Sequence, residues 1–439
     1  MARLPLRTNL GYGIADFGQN LLFQTVGIYL LSFYTDVAML SAAFAGNLFL
    51  LTRIWDGIND PLMGYLAQRT RSRWGTYRPW LLWMAFPVGI SFVLLFLVPD
   101  VSQEGKQWYA IITYVVFTMA FTAMNIPYGT LTAVMTPDYA ERGRLTGYRM
   151  TFAMVGAILA GYAFLTISGK WEDASQGYFW AACLFALILI ITLGIGFFTV
   201  REELTTQIVP SLSLSTSWAA LRSNRPFWML SITFGSCFVA YAVFVSILPY
   251  LGRYLLGDEE VTANLLLVVM GTTAASIPVW TWLSKRIGKK AVFLAGASFY
   301  ILAMAGLFFL ESDQHTLVYG WLLIHGLGNG AAVFTSWAMI ADTIEYGQWK
   351  SGIRLESMIY GVYGFFIKLG IGIGIWLAGQ GLSLGGYVAN GEQSEEALRS
   401  IRLLVSLVPL VWIVIAVIAM MAYRIDPALH QRIRDEIQA

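Results

Sequence analysis

The sequence predicts an all-α membrane protein with twelve transmembrane helices, arranged as two pseudo-symmetric halves of six helices each. Three observations predict this class: the composition, the number of long apolar segments and the distribution of basic residues. Of the 439 residues, 57% are hydrophobic and only 12% are charged, whereas charged residues make up about 25% of a typical soluble domain. We therefore expect much of the folded surface to face a lipid bilayer.

Twelve apolar segments are long enough to cross a bilayer, which takes about 20 helical residues. Their approximate cores are 10–35, 40–67, 79–98, 108–136, 146–168, 178–199, 227–255, 262–283, 290–310, 316–344, 355–386 and 401–423. A polar connection separates the first six segments from the last six. The predicted parts are an N-terminal half (1–200), a central loop (201–225), a C-terminal half (226–424) and a tail (425–439). Two repeats of this kind suggest a central cavity.

The basic residues predict the orientation of the chain. Lys and Arg cluster in the connections on the side of the amino terminus, whereas few occur on the opposite side. Cytoplasmic loops carry such an excess of basic residues. The sequence therefore predicts that both termini and the central loop are cytoplasmic, in a multi-pass protein of the bacterial inner membrane. The first apolar run is too long for a cleaved signal peptide, so we expect it to remain as the first span.

A charged stretch lies inside the second apolar segment, where Arg53, Asp56 and Asp60 are accompanied by Asn59. Charges at this depth are costly and are functional by default. Helical spacing places the three ionisable groups on one face, with the amide beside them. Two carboxylates one turn apart, with an amide oxygen nearby, can bind a small cation or share a proton. A structural ion pair between Arg53 and Asp56 is the alternative.

Six motifs occur in an order that resembles one family of transporters. They are GYGIADFG at 11–18, FYTD at 33–36, RIWDGINDP at 53–61, RSRWG at 71–75, NIPY at 125–128 and ADTIEYG at 341–347. Together they resemble the glycoside-pentoside-hexuronide:cation symporters of the major facilitator superfamily. The resemblance extends over nearly the whole chain. It implies the major facilitator fold, alternating access and a cation-coupled glycoside site between the halves.

The resemblance implies a cation site on Asp56, Asn59 and Asp60 of the second segment and Thr122 of the fourth. Every one of these side chains carries oxygen. Retention of Asn59 and Thr122 favours sodium, with Asp56 and Asp60 as its metal ligands. A proton remains the alternative coupling ion, because two nearby carboxylates can share one. We expect no other cofactor, since the chain has no nucleotide-binding glycine loop.

The resemblance also implies a substrate site on several segments of both halves. Its candidate residues are Asp16, Gln19, Asn20, Asn125, Tyr128, Arg149, Trp337 and Lys368. Asn20 and Asn125 stand where the melibiose-type branch carries acidic residues, and an amide binds hydroxyls without repelling an anion. Together with the cations Arg149 and Lys368, they favour an acidic glycoside such as a glucuronide. A neutral glycoside or pentoside is the alternative.

Three of these residues have a structural alternative. Arg149 can instead neutralise the acids of the second segment, Lys368 can instead pair with a neighbour, and Asp16 can instead be a partner for Lys368. Gly129 replaces the aromatic residue that stacks on the sugar in the melibiose-type branch, which weakens the prediction of a stacking platform.

Further charged residues near the predicted cytoplasmic helix ends suggest a gate built from ion pairs. The candidates are Arg53, Arg73, Asp342, Glu345, Arg354 and Glu356, with Lys350 close in sequence. Arg73 belongs to a basic turn after the second segment and is expected to pair with an acidic helix end.

Other classes of function fit the sequence less well. An intramembrane aspartyl protease needs its two Asp residues on separate helices and a Gly-x-Gly-Asp signature, so we expect no enzyme. A sugar sensor that does not transport remains an alternative. The expected partners are a sugar or glycoside, a monovalent cation and the lipid bilayer. We expect no nucleic acid partner and a functional monomer.

Overall fold

Fifteen α-helices form the framework of the part of the chain that the structure describes. A computed structural model describes residues 4–136, 139–202, 214–257, 259–309, 315–353 and 355–438. Contacts between Cα atoms divide the chain into two compact units. The first unit is Met1–Gln207 together with Val388–Glu392, and the second is Ile208–Tyr387 together with Gln393–Ala439.

The first unit contains six long helices. They are α1 (Leu6–Ser32), α2 (Ala42–Arg69), α3 (Pro79–Leu95), α4 (Gln103–Val134), α5 (Tyr139–Ser168) and α6 (Ala174–Thr199). A π-helical turn, Phe33–Val37, continues α1. Ser41 and Ser102 cap α2 and α4, because their side-chain oxygens accept backbone N–H groups of the first turn.

The second unit contains nine helices. They are α7 (Leu214–Ser223), α8 (Arg225–Tyr250), α9 (Glu259–Ile287), α10 (Lys289–Phe308), α11 (His315–Ser351), α12 (Glu356–Leu384), α13 (Glu395–Val405), α14 (Leu407–Met421) and α15 (Pro427–Gln438). A π-helical turn, Leu251–Leu255, continues α8. The twelfth predicted segment is thus split at Ser406 into α13 and α14. The predicted loop and tail contain the helices α7 and α15.

The two units repeat one pattern of helix neighbours. In the first unit, α1 packs against α5 and α6, α3 packs against α4 and α6, and α2 packs against α4. In the second unit, α8 packs against α12 and α14, α10 packs against α11 and α14, and α9 packs against α11. The first long helix of each set ends in a π-helical turn. This shared order indicates an internal structural repeat.

Each predicted apolar segment coincides largely with helical structure in the described part of the chain, and only the twelfth is divided between two α-helices. Among the described residues, nine helical segments are long and apolar enough to cross a membrane, and α3 is a shorter apolar helix. The remaining two segments are α1 and α2, which carry the polar and charged residues discussed below. Because α1 and α2 contain these polar and charged residues, their mean hydropathy is lower. Length and hydropathy alone therefore do not identify them as membrane spans.

A close approach between α1 and α5 holds the first unit together. A Cβ atom at Gly156 of α5 would lie 2.5 Å from the carbonyl oxygen of Phe17 in α1. Only glycine allows the two helix backbones to meet at this distance. The contact fixes the spacing between the helices that carry Asp16 and Arg149.

We expect Gly156→Ala to destabilise the protein by about 1–3 kcal/mol, because the added methyl group forces α1 and α5 apart. The measurement is the midpoint of thermal unfolding of purified protein in detergent. Gly147→Ala is the matched control, since a Cβ atom at Gly147 of the same helix meets nothing within 4 Å. An equal midpoint for both variants would contradict the packing argument.

Candidate functional site

A buried ion pair connects α1 to α5 in the first unit. Asp16 is only 2% exposed, and its Oδ1 accepts a hydrogen bond from Nε of Arg149 at 3.2 Å. Its Oδ2 accepts a bond from Nδ2 of Asn20 at 3.1 Å. The carboxylate is therefore held on both oxygens, by a cation from a neighbouring helix and by an amide one turn away.

Two further amides connect α1 to α4. Nδ2 of Asn125 donates to Oε1 of Gln19 at 3.1 Å. Nε2 of Gln19 donates in turn to the carbonyl oxygen of Ala15 at 3.3 Å. Gln19 is fully enclosed, whereas Asn125 is half-buried. The predicted substrate residues of α1, α4 and α5 thus form one polar group, which we call the α1–α4–α5 cluster: Asp16, Gln19, Asn20, Asn125, Tyr128 and Arg149.

Two stacked tyrosines form one wall of this cluster. The rings of Tyr12 and Tyr128 lie 4.6 Å apart, and each hydroxyl donates to the carbonyl oxygen of the other residue, at 3.2 Å and 2.8 Å. The guanidinium of Arg149 lies 5.1 Å from the centre of the Tyr128 ring, within the range of a cation–π contact. The sequence analysis missed Tyr12, although it lies one helical turn before Asp16.

Gly129 leaves open space beside the cation of the cluster. A Cβ atom at Gly129 would have Nη1 of Arg149 as its nearest neighbour, at 4.0 Å. The space that an aromatic side chain would fill in the melibiose-type pattern therefore adjoins the Arg149 guanidinium. The aromatic residue of the cluster is Tyr128, which directly precedes Gly129 in α4, and Tyr12 of α1 stacks on it.

The charged stretch of α2 contains a second buried ion pair. Nη1 of Arg53 donates to Oδ2 of Asp56 at 2.9 Å, and Nη2 donates to the hydroxyl of Tyr114 in α4 at 3.3 Å. Arg53 is 7% exposed and Asp56 is 2% exposed. The structure therefore contains the ion pair between Arg53 and Asp56 that was the alternative to a cation site at Asp56. Tyr114 was not among the predicted residues, because no spacing rule connects it to Arg53.

Asp60 has a different environment from Asp56. Its Oδ1 accepts a hydrogen bond from Oγ1 of Thr122 in α4 at 3.1 Å. One residue earlier, the amide of Asn59 is buried, and its Nδ2 donates no hydrogen bond within the described part of the chain. Pro61 follows directly and has no N–H, so the carbonyl of Gly57 lacks its usual helical donor. Carboxylate, hydroxyl, amide and carbonyl oxygens are the ligand types that hard cations prefer.

The structure separates the roles of the buried cations. Arg149 binds Asp16, whereas Arg53 binds Asp56. The described ion pair of Arg149 is with Asp16 of α1 and not with an acid of α2, so the geometry favours a role for Arg149 at Asp16. Asp16 likewise has an ion-pair partner within the first unit, so it does not depend on Lys368 for one.

The predicted substrate residues of the second unit lie on α11 and α12. Trp337 is 46% exposed, and its ring lies 6.1 Å from that of Tyr363 in α12. Tyr363 forms a hydrogen bond to α11, since its hydroxyl lies 2.6 Å from Oγ of Ser336. Lys368 lies in the middle of α12 and is half-buried.

The predicted gate residues of α11 have partners that the sequence analysis did not identify. Both oxygens of Asp342 accept bonds from Nζ of Lys289 in α10, at 2.7 Å and 2.8 Å. Oε2 of Glu345 lies 2.7 Å from Nε2 of His430 in α15, and the same nitrogen lies 3.5 Å from Oδ1 of Asp342. Lys350 instead donates to the carbonyl oxygen of Ser223 at 3.0 Å.

The structure describes fewer contacts for the remaining gate candidates. Arg354 lies outside the described residues, and Glu356 begins α12, without a described side chain. The guanidinium of Arg73 lies 4.5 Å from the centre of the Trp74 ring in the connection between α2 and α3. That connection turns at Gly75, whose φ of 112° favours glycine.

Glu202 fixes this connection from the end of α6. Its carboxylate accepts the backbone N–H groups of Thr76, Tyr77 and Arg78, at 2.9 Å, 2.7 Å and 2.7 Å. A carboxylate at the start of a helix satisfies N–H groups that have no partner within the helix. Local sequence patterns give no sign of this role for Glu202, because the contact joins residues more than 120 positions apart in the chain.

Comparisons with known proteins bear on the family and the fold of the chain. A family model described as MFS/sugar transport protein matches residues 11–427. The chain is 35% identical to the glucuronide carrier protein homolog of Escherichia coli, with 91% of this chain and 88% of that protein covered. It is 32% identical to the isoprimeverose transporter of Lactiplantibacillus pentosus, with 96% and 89% covered. The crystal structure of nucleoside transporter NupG superposes with a TM-score of 0.67 at 12% identity, with 95% and 100% covered.

We expect His430→Ala to loosen α15, because it removes the contact with Glu345 and Asp342. Loss of one hydrogen bond to a charged group, worth roughly 1.5–3 kcal/mol, should raise amide hydrogen exchange in α15 by about tenfold or more. Hydrogen exchange with mass spectrometry measures this. The control is Asp435→Asn, whose carboxylate accepts a bond from Gln431 of the same helix. Unchanged exchange in His430→Ala would show that other contacts hold α15.

Proposed function

The chain belongs to the MFS/sugar transport protein family, and we propose that it is a cation-coupled symporter that takes up a sugar or glycoside by alternating access. It is a membrane transporter and not an enzyme. We further propose twelve spans in two halves (1–200 and 226–424), joined by a cytoplasmic loop at 201–225. Both termini are cytoplasmic, and the protein acts as a monomer in a bacterial inner membrane.

The observation that carries the coupling proposal is the contact between Asp60 of α2 and Thr122 of α4, beside the buried amide of Asn59. In this proposal the cation binds at Asp60, and Asn59 and Thr122 supply neutral oxygens. Asp56 has a smaller part than the sequence suggested, because Arg53 already binds it. Sodium is favoured over a proton, since a proton needs no amide or hydroxyl ligand.

We expect Asp60→Asn to abolish accumulation against a gradient, because the site loses the charge that attracts the cation. Thr122→Ala should reduce cation affinity by about tenfold, the effect of one lost ligand worth about 1.4 kcal/mol. Counterflow exchange of labelled substrate in vesicles should persist in both variants. Asp100→Asn, at an exposed position, is the control. Undiminished uphill uptake by Asp60→Asn would contradict the coupling site.

For the substrate we propose an acidic glycoside such as a glucuronide. The support is the pair of cations, Arg149 and Lys368, together with amides at Asn20 and Asn125 that do not repel an anion. A carboxylate of the substrate would compete with Asp16 for the guanidinium of Arg149. The relative named as a glucuronide carrier homolog agrees with this choice.

A neutral glycoside is the second candidate, and the bond between Asp16 and Arg149 favours it. The two opposite charges leave the α1–α4–α5 cluster without net charge. Adjacent sugar hydroxyls can donate to the carboxylate and accept from the guanidinium at the same time. The stacked tyrosines Tyr12 and Tyr128 are fully buried, so in this case they would support the ion pair from behind and would not stack on the sugar ring.

The two candidates predict different effects of Arg149→Gln and Lys368→Gln. For an acidic substrate, we expect each variant to weaken binding of a glucuronide by at least tenfold more than binding of a neutral glycoside of the same aglycone. Competition against a labelled substrate in vesicles measures both affinities. Asn20→Asp is the complementary variant, since an added negative charge should impair the glucuronide selectively. Equal losses for both substrates would favour the neutral candidate.

A further inference from the structure

An apolar groove runs between the first turns of α1 and the last turns of α6. Its volume is about 780 Å³. The side chains that line it are mostly aliphatic or aromatic: Leu6, Leu10 and Ile14 from α1, and Ile191, Ile195 and Phe198 from α6. The groove opens to the outside of the first unit, since Leu6 is 55% and Phe198 is 69% exposed. An open channel of this chemistry suits a hydrocarbon chain.

One end of the groove is cationic. Arg7, which is exposed, lines the groove beside Thr199 at the end of α6. The adjacent hydroxyl of Thr8 donates to the carbonyl oxygen of Thr199 at 3.3 Å, so the first turn of α1 is attached to the last turn of α6. Arg7 therefore lies at the end of the groove that is formed by the first turn of α1 and the last turn of α6.

A second group of cations lies at the same end of α6. Nε of Arg78 donates to the carbonyl oxygen of Phe197 at 2.7 Å, and its guanidinium lies 4.4 Å from the centre of the Phe197 ring. Partial burial and the like charge of Arg201 lower the pKa of Arg78, and Glu202 offsets this in part. The oxygens of Glu202 already accept the three backbone N–H groups described above.

We propose that this groove binds an anionic phospholipid, with one acyl chain along α1 and α6 and the phosphate at Arg7 and the neighbouring arginines. Phosphate is a hydrogen-bond acceptor that guanidinium groups recognise well. Basic pockets between membrane helices bind anionic lipid head groups in this manner. The apolar groove determines where the chain lies, and the cations select the charge of the head group.

Gly194 of α6 provides a direct test, because it lines the groove and an added Cβ atom there meets nothing within 4 Å. We expect Gly194→Leu to fill the groove without disturbing the helices around it. The control is Gly320→Leu in α11, since Gly320 is equally unobstructed and lies in the other unit.

The experiment is native mass spectrometry of protein from nanodiscs with equal amounts of phosphatidylglycerol and phosphatidylcholine. Wild type and Gly320→Leu should retain one phosphatidylglycerol, whereas Gly194→Leu should lose it. Arg7→Gln should reduce the preference for phosphatidylglycerol by about fivefold, and it keeps the test decisive if Gly194→Leu does not fold. The proposal would be overturned if Gly194→Leu and Arg7→Gln both retained phosphatidylglycerol as wild type does. It would also be overturned if free oleate at equal concentration displaced the bound phosphatidylglycerol. The assay involves no transport, so its outcome is independent of the proposed function.

Discussion

A charge enclosed by apolar helices must be compensated, and this constraint organises the first unit. The energetic penalty for an unpaired buried charge exceeds the strength of most single contacts, and removal of one partner of a buried pair typically destabilises a protein by about 3–5 kcal/mol. In the first unit the buried acids Asp16 and Asp56 accordingly pair with Arg149 and Arg53, and the half-buried Asp60 accepts a hydrogen bond from Thr122. The pair of Asp16 with Arg149 joins α1 to α5, and the contact of Asp60 with Thr122 joins α2 to α4, whereas the pair of Arg53 with Asp56 lies within α2.

The same constraint separates two kinds of acid. Asp16 and Asp56 have guanidinium partners, which can be replaced only by a competing anion or by another cation. Asp60 accepts a hydrogen bond from the hydroxyl of Thr122, and a hydroxyl oxygen is a ligand that a bound cation can share with the carboxylate. This difference is the physical reason for placing the coupling ion at Asp60 and the sugar near Asp16.

Helix α4 contributes side chains to both the proposed cation site and the proposed substrate site. Thr122 contacts Asp60 of α2, and Asn125, three residues later, contacts Gln19 of α1. In the proposed cycle, a cation at Asp60 would fix the turn of α4 that also orients Asn125. Pro127 follows within the same helix and interrupts its hydrogen-bond ladder. A ligand can shift a conformational equilibrium only through such differential contacts.

Local spacing predicted some of these features and could not predict others. The bond between Arg53 and Asp56 follows from helical geometry, because residues three apart share a face. Asp16 and Arg149 are 133 residues apart, and only the packing of α1 on α5 brings them together. The contact of Glu345 with His430 depends in the same way on where α15 lies on α11. Hydropathy located the long helices but gave no sign of α15, which is short and polar.

The most direct test of the central claim is substrate uptake by purified wild-type protein in proteoliposomes. A labelled glucuronide or neutral glycoside is supplied under an inward sodium gradient, under a proton gradient and under no gradient. The account predicts that a glycoside accumulates above its external concentration when the sodium gradient is present, and only equilibrates without a gradient. Binding without accumulation under either gradient would contradict it and would indicate a sugar sensor instead of a symporter.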